Sequence, residues 1–516
     1  MSEFDRLIAY LSDIAAYPEG IGEVAVIQTQ MSVVFLVGEY TYKIKKPVNL
    51  GYVDYTRLEH RKNFCEREVT LNRRLCPEIY LGVVPITKDG SKFILGGMGS
   101  PIEYAVKMRR LPEEQLLDNL LKQDKVTPEM MAQVASRLAQ FHRSATTNAE
   151  IAEFGSLEAI TRNTEENFEQ TEKYIGQTIS PKSFAAIRDY TRDFIRENRD
   201  LFIKRAKDGW IRDCHGDLHA QHICFHHGLS IFDCIEFSDR FRYSDTAAEA
   251  AFLAMDLEHS GRADLARLFV SAYAAESGDV DLHKLLVFYK CYRACVRGKV
   301  NNFKLDDPYI RASDRQESFS LAQGYFDLAA AYTRPKPLLI IMMGFVGSGK
   351  TTMAKVLAGK LGAVYLSSDI TRKKLAGIPL TEHRYHEPGG GIYSAEFTRR
   401  TYNMLYQEAA EALAGGYPVI LDAAFLKRSE RDAARLIAAR SGADCCVLEC
   451  RAGPEIVRSR LNMRLGQPVV SDGTWDIYLK QQEWFEPPDI SESGCVSVDT
   501  SGPLAQNVRR ILERFA

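Results

Sequence analysis

The sequence predicts two units of different architecture in one chain. The first is an α+β unit with a β-rich lobe and a helical lobe; the second is an α/β unit whose parallel sheet carries helices on both faces. Three observations lead there. Up to Leu111, short apolar runs alternate with turn residues at strand spacing, whereas from Gln115 to about Ala330 the apolar residues recur at helix spacing. Arg334-Pro335-Lys336-Pro337 then stops the helix, because two prolines remove backbone donors and fix φ. Beyond it, strand-like and helix-like segments alternate, as a parallel sheet with crossovers requires. The expected domains are 1–332 and 338–516, joined by a linker at 333–337.

A chain of 516 residues exceeds what one core holds. Its 66 Lys and Arg nearly balance 68 Asp and Glu, for a formal net charge of -2. Overall charge therefore gives no reason to expect nucleic acid or an anionic membrane as a partner. No apolar run approaches membrane-spanning length, and the acidic start Met1-Ser2-Glu3-Phe4-Asp5 lacks the layout of a signal peptide, so a cytoplasmic location is expected. The 11 cysteines are scattered without a C-x-x-C pair, and Cys224, Cys234, Cys445, Cys446 and Cys450 sit in apolar runs, which reads as reduced core thiols.

In chain order, a first helix is expected from Phe4 to Ala16, then a β-hairpin between Val24 and Val48 that turns at Gly38-Glu39. Its second strand puts Lys43 and Lys45 on one face by the two-residue period. A helix from Tyr55 to Leu75 carries Glu66 and Glu68 and stops before Cys76-Pro77. Strands follow around Val83–Ile86, Lys92–Leu95 and Tyr104–Met108. The helical stretch after them is broken by one polar insertion, Ile211 to Ser238, which holds His215-Gly216-Asp217-Leu218-His219-Ala220-Gln221-His222 and an apolar, strand-like run around Asp233 and Glu236. Asp245 beyond it reads as an ion-paired structural residue, with an acceptor-site carboxylate as the alternative.

These residues carry a resemblance. The stretch from about Val24 to Val300 resembles the aminoglycoside and choline phosphotransferase group, relatives of the protein kinases. The resemblance implies a bilobal kinase-like fold, with Asp217 of His215-Gly216-Asp217 as the base for an acceptor hydroxyl and Asp233 as the main Mg²⁺ ligand. It implies Lys43 as the phosphate-holding lysine, Lys45 as its register alternative, Glu68 as the partner carboxylate, and Val106 to Pro112 as the hinge against adenine. One position departs from the pattern: the family's metal-binding Asn, five residues after the catalytic Asp, is His222 here. A neutral imidazole can ligate a metal but favours nitrogen-binding ions over Mg²⁺. Two readings of this half follow, an active site with His222 among the metal ligands and a scaffold or nucleotide sensor.

The second unit opens on Leu338-Leu339-Ile340-Ile341-Met342-Met343-Gly344-Phe345-Val346-Gly347-Ser348-Gly349-Lys350-Thr351-Thr352, an apolar strand run, a complete G-x-x-x-x-G-K-[ST] match and the start of a helix. Gly344, Gly347 and Gly349 let the backbone curl so that successive N–H groups, with Ser348 and Thr352 at its rim, face a phosphate. Lys350 offers a charge to the β/γ-phosphates and Thr351 a hydroxyl to Mg²⁺. The expected nucleotide is ATP or GTP. Further strands are expected at Ala363–Ser367, Pro418–Leu421, Cys445–Cys450 and Cys495–Val498, with ligands at their carboxyl ends. Asp369 there can accept the proton of an attacking hydroxyl, and Arg372 can hold an anionic acceptor. Asp422 ends an apolar strand, as the acid of a Mg²⁺ shell does. Either Asp can alternatively serve as a helix cap. Arg460 and Arg464 share a helix face and can close over the phosphates as a lid, or form a solvated basic face.

This half, from about Pro337 to Ala516, resembles the P-loop kinases that include gluconate kinase, phage polynucleotide kinase and zeta-type toxins, through the loop at 344–351, the Asp369/Arg372 pair and the arginine-bearing lid. The order of the two halves looks like a bacterial group of two-part kinases. The expected activity is transfer of the γ-phosphoryl of ATP, with Mg²⁺, to a hydroxyl of a small-molecule or nucleic-acid acceptor. The alternative is a nucleotide-dependent switch in which one half regulates the other.

Overall fold

The computed structural model describes every residue except Met1, 19–21, Tyr52, Ser91, 307–309, Thr381, 383–389, 465–469, Ser471, 489–491, Ser493 and Ala516. Packing divides the chain into two compact units, one of 1–163, 195–253 and 268–286, the other of 164–194, 254–267 and 287–516. The eleven cysteines are free. Among the described residues no helix is long and apolar enough to cross a membrane.

The first unit opens with the helix Glu3–Leu11, where Ser2 and Asp5 cap each other reciprocally. The expected strands form a six-stranded antiparallel sheet. Its spatial order is Val24–Gln28, Ser32–Val37, Tyr40–Lys45, Pro101–Arg109, Tyr80–Asp89, Lys92–Leu95. Strand alternation shows in burial: Val33, Phe35 and Val37 join Tyr42 and Ile44 in one core with Leu7 and Leu11. The helix Leu58–Asn72 packs Cys65 and Val69 against Tyr80, Val106 and Met108 on another part of the sheet. That docking carries Glu68 into the interior beside the strand Tyr40–Lys45.

Three short strands, Ile211–Asp213, Ile223–Phe225 and Leu229–Ile231, make up the polar insertion. Here one expectation is corrected, because Asp233 lies outside any strand. The pairing of Ile223–Phe225 with Leu229–Ile231 ends at Ile231, Cys234 donates its N–H to the Asn72 side chain at 2.9 Å instead of to a strand, and Asp233 turns left-handed with φ of 62°. A non-glycine residue in that region is uncommon and clusters at functional sites. Asp245 is ion-paired structure as expected: Arg205, 1% exposed, meets Asp245 at 2.7 Å and Asp279 at 2.8 Å.

In the second unit a five-stranded parallel sheet runs in the order Val364–Ser367, Val419–Asp422, Leu338–Met343, Asp444–Arg451, Cys495–Asp499. The continuous apolar run at 338–343 is explained by burial on both faces. Leu339, Ile341 and Met343 pack with Leu405, Ala409, Ala434 and Ala438 of the helices Ala395–Ala414 and Arg428–Arg440. Leu338, Ile340 and Met342 pack with Met353, Leu357, Val508 and Ile511 of Lys350–Leu361 and Leu504–Phe515. Helical segments that precede the sheet in sequence belong to this unit too. Lys290 pairs with Glu258 at 2.7 Å, and Lys360 of the helix after the glycine loop pairs with Asp327 at 2.6 Å.

Removing one partner of a buried ion triad leaves uncompensated charge. Arg205→Ala, which strands Asp245 and Asp279, is expected to cost about 3–5 kcal/mol and to lower the first thermal unfolding transition, with Arg205→Lys recovering only part of the loss. An unchanged transition in differential scanning calorimetry would contradict this.

Candidate active sites

In the first unit the catalytic-type loop is built around a buried carboxylate. The N–H groups of His215 and Gly216 both donate to Glu249, at 2.9 and 2.6 Å, and His142 lies 2.8 Å from the same carboxylate through Nε2 and 2.7 Å from the Tyr273 hydroxyl through Nδ1. Burial alone would raise the pKa of Glu249; the His142 contact, the nearby His215 ring and the backbone donors outweigh it and bring it down to about 2. Gly216 has φ of 91°, and a Cβ there would come within 3.0 Å of the Phe241 carbonyl, so glycine is required. Arg74 donates to the carbonyls of Asp213 and Cys214 at 3.0 and 2.9 Å, and Arg242 to the Asp213 carboxylate at 2.7 Å. His215 Nε2 in turn reaches the Phe232 carbonyl at 2.8 Å, tying this loop to the turn that carries Asp233.

Around that frame the structure brings together the expected N-terminal residues. Lys43 bridges Glu68 at 2.9 Å and Asp233 at 2.8 Å, and Asp233 and Glu68 hold its pKa well above the usual lysine value although burial opposes the charge. Lys45 also reaches Glu68, at 2.7 Å, and contacts Glu236, which accepts from the Tyr55 hydroxyl at 3.0 Å. His222 stands between the two aspartates, its Nε2 3.5 Å from Asp233 Oδ2 and its Nδ1 2.9 Å from the Asp217 carbonyl oxygen. The Asp233 pKa is depressed against the effect of burial, chiefly by Lys43. A cavity of about 1010 Å³ opens beside the hinge segment, lined by Arg109–Glu114 and the hairpin at 226–230, but its lining includes none of Lys43, Glu68, Asp217 or Asp233.

In the second unit the sheet register aligns the phosphate-binding parts. Asp422 pairs with Met342 on one side and Ser367 on the other, so it sits level with the glycine loop and with the start of the helix Ser368–Leu375 that carries Asp369 and Arg372. Thr351 donates its hydroxyl to Asp422 at 2.7 Å, and Tyr365 does so at 2.6 Å. An oxygen-only pair at this spacing fits Mg²⁺, a hard cation. Lys350 folds onto the Phe345 carbonyl of its own loop at 2.7 Å. Burial lowers its pKa, against the charges of Asp422 and Asp369, while the charge of Arg464 adds to the lowering. Gly344 lies so close to the Cys450 carbonyl that a Cβ would come within 2.5 Å of it, and at Gly347 a Cβ would come within 2.9 Å of Val457.

The arginines divide. Arg372 donates to the Ile392 carbonyl at 2.6 Å and the Thr398 hydroxyl at 3.1 Å and lies over the Tyr393 ring, while its Nε is buried without a hydrogen-bond partner among the described residues. Arg460 braces the loop, donating to the Thr500 carbonyl at 2.7 Å and to Gly347 O at 3.4 Å. Arg464 ends the helix Pro454–Arg464. Residues 465–469 and Ser471, just beyond this arginine-bearing helix, lie outside the described residues.

Two family models match the chain: the phosphotransferase enzyme family over residues 65–285 and an AAA domain over 339–488. The uncharacterized protein Rv2004c of Mycobacterium tuberculosis is 31% identical over 491 residues, 93% of each chain. The chain belongs to the same two-part family, a phosphotransferase-type domain followed by a P-loop kinase-type domain. A shikimate kinase of Thermodesulfovibrio yellowstonii is 22% identical over 177 residues, 34% of this chain and 94% of its own. A gluconokinase structure from Sinorhizobium meliloti is 26% identical, covering 36% of this chain and 95% of its own with a TM-score of 0.26. Both domain families support a phosphotransferase.

Sequence reasoning named neither Glu249 nor Arg74, Tyr365 or Thr500. A signal for Glu249 was present, since Thr246-Ala247-Ala248-Glu249-Ala250-Ala251-Phe252 sets one carboxylate in an otherwise apolar helix, and buried charges need partners.

Because the folded pKa of Glu249 lies below its unfolded value, its stabilisation is complete above the usual glutamate range and disappears as pH falls toward 2. Glu249→Gln is expected to remove on the order of 2–3 kcal/mol at pH 7 and to flatten the acid limb of stability between about pH 4.5 and 2. Urea melts of both forms at several pH values check it, and parallel acid limbs would contradict it.

Proposed function

We propose that the chain is an ATP-dependent kinase that moves the γ-phosphoryl group to a hydroxyl of its acceptor, with domains at 1–332 and 338–516 joined at 333–337. The C-terminal domain is the principal catalyst and the N-terminal domain a second kinase site. The observation that carries the reading is the alignment of Thr351 and Asp422 beside the glycine loop, with Asp369 one strand away and close enough for its charge to act on Lys350. A nucleotide switch needs the first two but has no use for an acceptor base.

The loop amides and Lys350 bind the β/γ-phosphates, and to do so Lys350 leaves the Phe345 carbonyl. Mg²⁺ neutralises phosphate charge when bound, and the Thr351 hydroxyl and Asp422 carboxylate are the groups that would hold it. Asp369 accepts the proton of the acceptor hydroxyl as that oxygen bonds to the γ-phosphorus and the bond to the bridging oxygen of ADP breaks. Arg372, set on the helix that carries Asp369, holds an anionic acceptor, and Arg464 adds positive charge near the transferring group. In the N-terminal domain Asp217 has the base role and Lys43 the phosphate contact, with Glu68 holding Lys43 in place.

Lys350→Ala in the full chain is expected to reduce ATP turnover by about 10²–10³. Near wild-type turnover would move catalysis to the N-terminal domain. Asp369→Asn is expected to lower phosphorylation of the acceptor by about 10²–10⁴ with little change in nucleotide affinity, since the amide can accept a hydrogen bond but is a poor base. Labelled ATP with sugar, amino-alcohol, nucleotide and RNA-end libraries gives the readout, and an equal loss of nucleotide binding would make Asp369 structural.

A further inference from the structure

We propose that the N-terminal loop carries a mixed nitrogen and oxygen site for a transition-metal dication of the Mn²⁺, Co²⁺ or Zn²⁺ class, built from Asp217, His219, His222 and Asp233. The family resemblance implies Mg²⁺ here, and the donor set does not fit it. Mg²⁺ demands oxygen ligands in a near-ideal octahedron, whereas imidazole suits transition metals. The reading of this loop as a phosphotransferase site suggests where to look, but metal binding itself needs no nucleotide.

The tautomer of His222 is fixed by its neighbours. Its Nδ1 lies 2.9 Å from the Asp217 carbonyl oxygen, which can only accept, so Nδ1 carries the proton and the neutral ring's lone pair is on Nε2. That nitrogen faces Asp233 Oδ2 at 3.5 Å, while Lys43 engages the other oxygen, Oδ1, at 2.8 Å. A ligating imidazole whose second nitrogen donates to a backbone carbonyl is the usual way proteins orient a metal-binding histidine. His219 repeats the juxtaposition on the other carboxylate, with Nε2 3.4 Å from Asp217 Oδ2.

The spacing also suits a metal. Bonds of about 2.0–2.2 Å place adjacent ligand atoms roughly 3.0–3.5 Å apart, close to both contacts. One donor atom each from Asp217, His219 and His222 fall within 4.8 Å of one another, and Asp233 stands outside that group, meeting it through His222 Nε2 at 3.5 Å. The Asp217 and Asp233 side chains are 35% and 40% exposed, so an ion can enter from solvent. Charge points the same way: the carboxylates of Asp217, Asp233, Glu68 and Glu236 gather here, with Lys43 and Lys45 as the ammonium partners of the last three. The other grouping of this kind, His142, Cys214 and Glu249, is buried and already bonded to Tyr273, Ser244 and loop amides.

The test is a Co²⁺ titration of the nucleotide-free full chain, read by visible absorption. Bands of nitrogen-ligated Co²⁺ are expected, displaced by Zn²⁺ and Mn²⁺ at concentrations at which Mg²⁺ has no effect. His222→Asn should weaken Co²⁺ at least tenfold and let Mg²⁺ compete, and His219→Gln should change the bands independently. Far-UV circular dichroism reads folding in both variants. Affinity and bands unchanged in both folded variants, or Mg²⁺ displacing Co²⁺ as well as Mn²⁺ does, would overturn the proposal. The outcome is independent of whether the chain transfers phosphoryl groups, because no nucleotide is present.

Discussion

The N–H groups of His215 and Gly216 converge on one buried carboxylate, and the first site depends on that convergence. A loop crossing the interior must satisfy its amides, and an anion satisfies two at once while adding charge to each bond. Glu249 can stay ionised there only because His142 and the loop donors offset its desolvation. With the loop fixed, the His215 ring reaches the Phe232 carbonyl, and the chain is placed to turn left-handed at Asp233. The strain of that residue is thus held by hydrogen bonds on both sides, Tyr80 bonding its own amide at 3.2 Å and Asn72 the next one.

The second site solves the inverse problem. Its glycine loop holds no carboxylate within the curl itself, and Asp422 stands one strand over, where it accepts from the Thr351 hydroxyl. Glycine is demanded less by flexibility than by proximity. At Gly344 the obstruction is the Cys450 backbone of the neighbouring strand, and at Gly347 it is the helix bearing Val457 and Arg460. The neighbouring helix and the strand behind the loop therefore demand glycine at these positions by themselves.

How far this was legible follows from the range of each cause. The strand at 338–343 and the loop after it are local, and two-sided burial writes itself as an unbroken apolar run, so position and role could be read directly. The four other parallel strands were placed to within about one residue, Val419–Asp422 and Asp444–Arg451 for the same reason and the less buried edge strands Val364–Ser367 and Cys495–Asp499 from the alternation of strand-like and helix-like segments. Asp233 was misplaced because the residues beside it, Phe232 and Cys234-Ile235, continue the apolar run of Leu229–Ile231 without pairing as a strand, and Asn72, which takes the Cys234 N–H, lies far away in sequence. Arg74 and Thr500 were invisible on the same ground, since each acts on a backbone carbonyl whose position only the tertiary fold supplies.

The register question left by the two lysines shows what the fold adds. Two-residue alternation puts Lys43 and Lys45 on one face, and both indeed reach Glu68, one on each oxygen. Their surroundings separate them. Lys45 is 1% exposed, enclosed by Glu68 and Glu236 with the Tyr55 ring 5.2 Å away, so its charge is consumed internally. Lys43 is 16% exposed, and its remaining partner is Asp233, itself open to solvent. A phosphate can recruit Lys43 by replacing one carboxylate with another anion, whereas recruiting Lys45 would leave Glu236 buried without its cation, a loss on the scale of a broken buried ion pair. Glu68 is what makes the division possible, because by bridging both ammoniums it fixes Lys43 at the cleft with Lys45 behind it as a permanent counter-charge.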